Sequence, residues 1–236
     1  MRTSSLLIIL IFLANCVFAQ SKLKLGLRLS PIFSSAKVVD ATGNEVSDQL
    51  STKLGGSFGL MADWRATENY GIHTGVHIVN KGFKRDGNVA VDSASTVAGT
   101  QNVTVTAIEI PLALKLRTTE FGDGWYADGL FGLSVDITAS NSNRWTGVNP
   151  VNYELSTSGG TLQTQANLIN PVNFSFIFGV GAEYEVGNVG RTNFGLVYHR
   201  GLTNLNRQSA FQPNVQGAEE TFRLSYFSLE LGYYFN

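Results

Sequence analysis

The chain has 236 residues, of which 43% are hydrophobic and 15% are charged, and its formal net charge is −1 at pH 7. This length fits a single domain, and the lack of a basic excess or polybasic run argues against a nucleic-acid partner. The only cysteine, Cys16, excludes a disulfide framework within the chain.

The first 19 residues have the organisation of a cleavable export signal. Arg2 supplies the positive charge, residues 6–13 form a short apolar stretch, and Ala19 provides a small residue at the cleavage point. The apolar stretch is too short to cross a bilayer as a helix. Cys16 also permits lipoprotein processing, although the residue before it is larger than that processing prefers. The sequence therefore predicts export, with residues 1–19 removed.

Beyond the export signal, apolar residues occupy every second position in eight stretches. In residues 172–186, Phe174, Phe176 and Phe178 share one face, while Glu183 lies on the other. A soluble strand typically has about five or six residues, whereas a tilted membrane-spanning strand needs about nine to eleven. In chain order, the eight stretches are residues 23–29, 54–64, 72–78, 108–116, 128–137, 172–186, 193–199 and 227–235.

The distribution of charge indicates which solvent the apolar faces meet. Those faces carry no Asp, Glu, Lys or Arg, and a charge facing lipid at mid-bilayer costs about 2–4 kcal/mol. A soluble barrel would instead turn its apolar face inward and keep charges outside. We therefore predict that residues 20–236 form an all-β, eight-stranded antiparallel up-and-down transmembrane barrel. The ionic residues predicted to face and pair across its narrow lumen are Arg28, Asp63, Glu109, Lys115, Asp128, Asp136, Glu183 and Glu230.

The connections alternate between short and long, as they do in outer-membrane barrels. The short ones, predicted to be periplasmic turns, are residues 65–69, 118–123 and 187–191. The long ones, predicted to be extracellular loops, are residues 31–53, 80–102, 138–170 and 201–221. An even number of strands then places both termini in the periplasm. An aromatic girdle is predicted at the short-turn ends, formed by Trp64, Tyr70, Trp125, Tyr184, Phe194 and Phe235.

Two features disturb this pattern. Pro111 lies in the middle of a predicted strand, where it forfeits a hydrogen bond of the ladder. The parity of the apolar residues also changes between Val105 and Ile108, and again between Tyr226 and Phe227. Both changes predict β-bulges near the outer rim.

Short motifs connect the chain to a known family. The sequences IEIPLALK (residues 108–115) and NKGFK (residues 80–84) resemble recurring Glu-Ile-Pro-Leu and Lys-Gly elements of the PorT-like outer-membrane β-barrel family of Bacteroidetes. The first strand, KLGLRLS, and the terminal YYFN are similar as well. The resemblance implies an eight-stranded, OmpX-like barrel without shared catalytic residues, and it gives a loose connection to protein secretion. The long third outer loop departs from the family.

No cofactor or metal site is expected. His73 and His77 share a face, but four residues along a strand separate them by about 13 Å, too far for one metal. His199 and Asp136 both fall near the outer rim on inward faces, so a hydrolytic pair is conceivable.

Three functions are compatible with the sequence. The first is a non-catalytic integral outer-membrane barrel that displays long surface loops, for surface interaction, envelope structure or assistance to protein secretion. The second is a small-solute porin or carrier, and the third is an outer-membrane hydrolase. The predicted partners are outer-membrane lipid, an unidentified surface or secretion partner, and the barrel-assembly machinery, which is expected to recognise Tyr233 and Phe235 during insertion.

Overall fold

The computed structural model describes residues 23–39, 43–45, 50–90, 96–147, 169–187, 189–205 and 221–235. Strands account for most of these residues, and none of them is helical. The strands are β1 (Leu23–Val39), β2 (Leu50–Arg65), β3 (Tyr70–Ala90), β4 (Thr96–Arg117), β5 (Trp125–Gly147), β6 (Val172–Val186), β7 (Gly190–Gly201) and β8 (Thr221–Phe235). A search of the same residues for a long apolar helix that could span a membrane found none. The predicted export signal, residues 1–19, lies outside the described residues.

The strands form a closed barrel. Each strand pairs antiparallel with its neighbours in the chain, and β8 returns to pair with β1. The closing register places Leu29 opposite Leu231 and Phe33 opposite Phe227. A closed ladder satisfies the backbone hydrogen-bonding groups without water, as a segment in lipid must. The predicted all-β, eight-stranded up-and-down fold is confirmed.

An apolar belt surrounds the outside of the barrel. We use this name for the exposed, outward-facing apolar residues that begin at the short turns. Their upper limits on the eight successive strands are Phe33, Leu54, Ile78, Ile108, Ile137, Val172, Leu196 and Phe227. Leu54 and Leu112 are 68% and 63% exposed even though they belong to regular strands. Such a large continuous apolar exterior requires an apolar solvent.

Beyond the belt, the two faces of the strands exchange character. On β4, Ile108 and Ile110 face outward within the belt, whereas Val103 and Val105 are buried inside the barrel above it. On β8, Phe227 faces outward and Leu224 is buried. The backbone alternation continues through the change, so only the identity of the apolar face reverses. Above the belt, the strands therefore form a barrel with an apolar interior, as in a water-soluble protein.

This reversal corrects the predicted bulges and loops. The parity change between Tyr226 and Phe227 is not a bulge, because Tyr226 faces inward in an uninterrupted strand. Near the other predicted slip, the register between β4 and β5 does shift between Thr106 and Ala107, although the alternation of β4 itself is unbroken. A second shift lies between Thr52 and Gly56.

Much of what was predicted as outer loop is strand. β1, β3 and β5 continue to Val39, Ala90 and Gly147, and β3 and β4 remain paired up to Ala90 and Thr96. The prediction failed there because the apolar-outward pattern stops at the edge of the belt while the strands go on. Of the remaining loop residues, only 43–45, 169–170 and 202–205 are among the described residues.

Pro111 sits where the prediction expected a defect. It pairs with Ser134 on β5, but the register between β3 and β4 has a gap opposite Gly75 and Val76. The Thr74 hydroxyl donates a 2.8 Å hydrogen bond to the carbonyl oxygen of Pro111 beside this gap. A side-chain bond thus supports the ladder where the proline lacks an N–H.

Candidate functional site

The interior of the barrel is the candidate site, because it collects most ionisable side chains of the described strands. Its short-turn end is organised around Glu183 on β6, which is fully buried. One of its carboxylate oxygens lies 2.6 Å from the Lys115 ammonium. The other accepts hydrogen bonds from Arg191, Arg65 and Arg117 at 2.9, 3.2 and 3.4 Å. Four cations from three different strands, β2, β4 and β7, therefore converge on one carboxylate.

Lys115 connects this cluster to the next layer of the lumen. Its ammonium donates a 2.7 Å hydrogen bond to Asp63, which also lies 2.6 Å from Nδ1 of His73. Asp128 accepts a hydrogen bond from Asn193 at 3.2 Å and forms no ion pair among the described residues. Because Lys115 touches both Asp63 and Glu183, the two carboxylates share one cation.

A second cluster occupies the middle of the barrel, around Glu109 on β4. Glu109 is fully buried, and the Arg28 guanidinium lies 3.7 Å from it while also pairing with Glu230. The rings of His77 and His199 approach the two Glu109 oxygens at 3.7 and 3.5 Å. The cluster thus joins β1, β3, β4, β7 and β8 across the barrel axis.

Tyr226 completes the central cluster from β8. Its hydroxyl donates a hydrogen bond to Glu109, and its ring stacks on His199 with the centroids 4.2 Å apart. Two glycines make room for the other imidazole. A Cβ at Gly59 or Gly75 would lie only 2.8 or 2.9 Å from ring atoms of His77. Small inward residues therefore allow large polar ones to reach across a narrow lumen.

A separate ion pair lies between the central cluster and the long-strand end. The Lys81 ammonium donates a 2.7 Å hydrogen bond to Asp136, and the Ser175 hydroxyl approaches the same oxygen at 3.4 Å. Both members of the pair are at most 4% exposed. The cavity beside them measures 10 Å³, about the volume that one water requires.

An apolar layer closes the long-strand end of the lumen. Phe83 and Phe222 stack there with ring centroids 5.7 Å apart. The buried members of this layer are Val38, Phe83, Val103, Val105, Ile169, Leu205, Phe222 and Leu224. At the opposite end, a cavity of 740 Å³ opens between the short turns, and the arginines that contact Glu183 line it. The described lumen is therefore blocked twice, by charged side chains and by apolar ones.

The structure places all eight predicted lumen residues on the inner face, each at most 8% exposed. Seven of them take part in the ion pairs described above, and Asp128 is the exception. Sequence reasoning left four further cations out of the ionic network of the interior, namely Arg65, Lys81, Arg117 and Arg191. All four have inward parity, but Lys81 lay in a presumed loop and the arginines lay next to presumed turns.

The aromatic residues of the predicted girdle all face outward at the short-turn ends of their strands. Trp125 and Tyr184 contact each other with ring centroids 4.8 Å apart, and Tyr233 packs edge-on against Phe235 at 5.4 Å. Tyr70 is the most exposed member at 57%. Aromatic rings at the edge of an apolar belt are typical of a membrane interface.

The structure does not bring together the conceived hydrolytic pair. His199 contacts Glu109 and Tyr226, whereas Asp136 is bonded to Lys81, and both side chains are 1% exposed. Among the described residues, no three His, Cys, Asp or Glu side chains are grouped as metal ligands.

A closed barrel with an apolar exterior, an interfacial aromatic girdle and an ionic interior defines the transmembrane β-barrel class. The chain belongs to the outer membrane protein β-barrel domain family, which it matches over residues 18–207. It is therefore an outer-membrane protein. No curated protein sequence matches the chain.

Solved structures with a similar arrangement come from several bacteria. OprG from Pseudomonas aeruginosa is 10% identical, with a TM-score of 0.46 over 90% of this chain and 96% of that one. Neisserial surface protein A is 10% identical, with a TM-score of 0.40 over 87% and 95%. The outer-membrane protease OmpT from Escherichia coli is 9% identical, with a TM-score of 0.38 over 90% and 96%. At this level of similarity, no activity transfers from these proteins to the chain.

Proposed function

We propose that this protein is a non-catalytic outer-membrane barrel that closes its own lumen and displays an extended β-structure at the cell surface. The double closure of the lumen carries this proposal. A solute crossing the barrel would have to displace the Glu183 cluster, the Glu109 cluster and the Phe83–Phe222 layer in turn. Apart from Asp128, the eight buried lumen charges are paired, and separating such pairs costs several kcal/mol.

The uneven length of the strands supports the display role. β5 continues ten residues past Ile137, its last belt residue, to Gly147, whereas β7 has only 12 residues in all. At about 3.3 Å per residue, β5 reaches about 30 Å along its own direction beyond the belt. β3 and β4 accompany it, because Ala90 pairs with Thr96 and Gly99 pairs with Gly147. A paired sheet of this height presents surface that the membrane part does not need.

The proposed orientation places the long-strand end outside the cell and both termini in the periplasm. Its support is the asymmetry of the barrel, because only a few residues separate β2 from β3, β4 from β5 and β6 from β7, whereas all the long extensions lie at the other end. The PorT-like motifs support assistance to a secretion complex as one task of the displayed sheet. The small-solute porin and the outer-membrane hydrolase are the competing functions.

Single-cysteine labelling tests display and orientation together. Cys16 is the only cysteine and lies in the predicted export signal, so a cysteine introduced elsewhere reports its own position. Asn88→Cys lies near the far end of β3, and Glu120→Cys lies in an exposed short turn. A membrane-impermeant maleimide added to intact cells should label Asn88→Cys at once, and Glu120→Cys only after the outer membrane is permeabilised. The reverse order would contradict the proposed orientation.

A trimmed barrel tests whether the displayed sheet recruits a partner. Arg85 and Gln101 are register partners, so a two-residue Asn-Gly turn can replace residues 86–100 without disturbing the pairs below. Cross-linking in intact cells should capture a partner with the full chain and lose it with the trimmed chain. Equal capture by both would contradict a role for the projecting sheet.

Conductance separates this proposal from the porin alternative. The wild-type protein should produce no stable current steps in planar bilayers. Phe222→Ala, which thins the apolar layer alone, should also stay closed because the charged clusters remain in series with it. Steady steps from the wild-type protein would favour the porin.

A further inference from the structure

A patch of basic side chains lies on the outside of the barrel, directly above the apolar belt, where β7, β8 and β1 meet. Arg200, Arg223 and Lys37 all face outward, and none of them points into the lumen. Lys37 and Arg223 are direct partners across the β1–β8 ladder. Like charges opposite each other on one sheet face destabilise the pairing. The sequence nevertheless places two cations side by side there.

Among the described residues, the three cations of the patch have a single compensating carboxylate. Lys37 pairs with Glu45, and both side chains are about half exposed. Arg200 and Arg223 are exposed, and the described part of the chain provides neither with a carboxylate partner. Inside the barrel, by contrast, almost every cation has a carboxylate within 4 Å. The patch therefore carries a net positive charge at the boundary between apolar and polar surroundings.

Between the cations and the belt, the outward residues of these strands carry hydroxyl groups. Ser35 and Ser225 are cross-strand partners directly below Lys37 and Arg223, and Arg200 pairs with Ser225 from the other side. Their hydroxyls supply neutral hydrogen-bond donors between the cations.

One row lower, three outward aromatic residues lie side by side at the edge of the belt. Phe33 pairs with Phe227, and Phe227 pairs with Tyr198, whose ring lies 4.6 Å from that of Phe227. Cations, hydroxyls and aromatic rings thus follow one another in the order in which a phospholipid presents phosphate, ester region and acyl chain.

We propose that Lys37, Arg200 and Arg223 form a binding site for the phosphate of an anionic membrane lipid in the leaflet at the long-strand end. Phosphate oxygens suit this set because guanidinium groups bind them through paired, charge-assisted hydrogen bonds. The acyl chains of the same molecule lie over Phe33, Phe227 and Tyr198. A bound phosphate also relieves the repulsion between Lys37 and Arg223, so the lipid stabilises the seam where the barrel closes.

Cations also lie above the belt on the other side of the barrel. Lys84 is exposed on β3, and the Lys53 ammonium donates hydrogen bonds to Asn102 and Thr104 of β4. The seam of β7, β8 and β1 differs because two of its cations are direct cross-strand partners, above a row of paired serines and a row of paired aromatic rings.

Native mass spectrometry of the refolded full mature chain tests the proposal. The probes are lipid A carrying its phosphates and the same lipid after dephosphorylation, each added to detergent-solubilised protein. The wild-type barrel should retain the phosphorylated lipid at least tenfold more strongly, as expected for two or more charge-assisted hydrogen bonds. Raising the salt concentration should weaken this retention, because the patch is exposed to solvent.

Two variants complete the experiment. The triple variant Lys37→Gln, Arg200→Gln, Arg223→Gln should lose the preference for the phosphorylated lipid. Lys84→Gln removes an equally exposed outward cation of β3 and should keep it. Unboiled gel mobility confirms that each variant is a folded barrel. Equal retention of both lipids by the wild type, or equal loss in Lys84→Gln, would overturn the site, whereas the proposed surface display would still stand.

Discussion

The ion pair between Lys81 and Asp136 allows a sharp test of how the lumen is held together. The two charges lie 2.7 Å apart, and both side chains are almost fully buried. At an effective dielectric constant of about 20, their attraction is about 6 kcal/mol. Taking both ions out of water costs several kcal/mol each, so the net contribution of the intact pair is close to zero.

Removing only one partner should therefore be far worse than removing both. Lys81→Met leaves the Asp136 carboxylate buried without its cation, and should lower the free energy of unfolding by about 3–5 kcal/mol. The double variant Lys81→Met, Asp136→Leu should lie within about 1 kcal/mol of the wild type. Lys84→Met, the same change at an exposed site of the same strand, should shift it by no more than about 0.5 kcal/mol.

Urea unfolding in detergent micelles, followed by tryptophan fluorescence, measures these differences. Equal unfolding midpoints for Lys81→Met and the wild type would mean that water reaches Asp136 and that the lumen is not dry there. A double variant as unstable as either single variant would refute the argument differently. It would show that the pair itself, and not the abandoned charge, provides the stability, whereas costs that simply add would show that the two residues contribute independently.

Other consequences of the structure can be measured directly. The closed ladder should make the barrel heat-modifiable, so boiled and unboiled samples should migrate differently on an SDS gel, and identical mobility of a β-rich sample would contradict closure. Leu229→Arg, in the belt, should destabilise the barrel by about 2–4 kcal/mol, whereas Ser140→Arg, just above the belt on β5, should cost at most about 1 kcal/mol. Equal costs in unfolding experiments would show that the belt is not where the structure places it. If the barrel-assembly machinery recognises this end of β8, Phe235→Ala should reduce outer-membrane yield in cells by more than its loss of stability in vitro explains. A cellular loss no larger than the in-vitro loss would leave Phe235 with only its interfacial role.

The membrane part of the fold could be predicted because one rule governs it throughout. Where lipid lies outside, outward positions are free of charge and mostly apolar, and the period of two along residues 172–186 or 227–235 reveals the strand. The inward ionic residues follow from the same parity, so Glu109 and Glu183 could be assigned to the lumen without a structure. Their partners could not be assigned, because pairing depends on the register and tilt of strands that are distant in sequence.

The part above the membrane was misread for a physical reason. Val105 and Leu224 are apolar and face inward, whereas Ile108 and Phe227 are apolar and face outward. If the outer face is assumed to meet lipid along the whole strand, each reversal looks like an interruption of the strand. The periodicity was intact, and the solvent on the outer face had changed from lipid to water. The same assumption hid Lys81, which lies in the segment that was taken for a loop.

The reversal of faces also bears on the chain before it is inserted. Along the β3–β4 hairpin, the apolar side chains lie on one face near the short-turn end and on the other face near the tip. Neither face of a hairpin that is not yet inserted is therefore polar along its whole length. A protein that covered only one edge or one face of the exported chain would leave apolar side chains exposed to water. A carrier in the periplasm would therefore have to enclose whole hairpins. If it released one end of a hairpin before that end reached its final place, the apolar side chains there would be exposed to water.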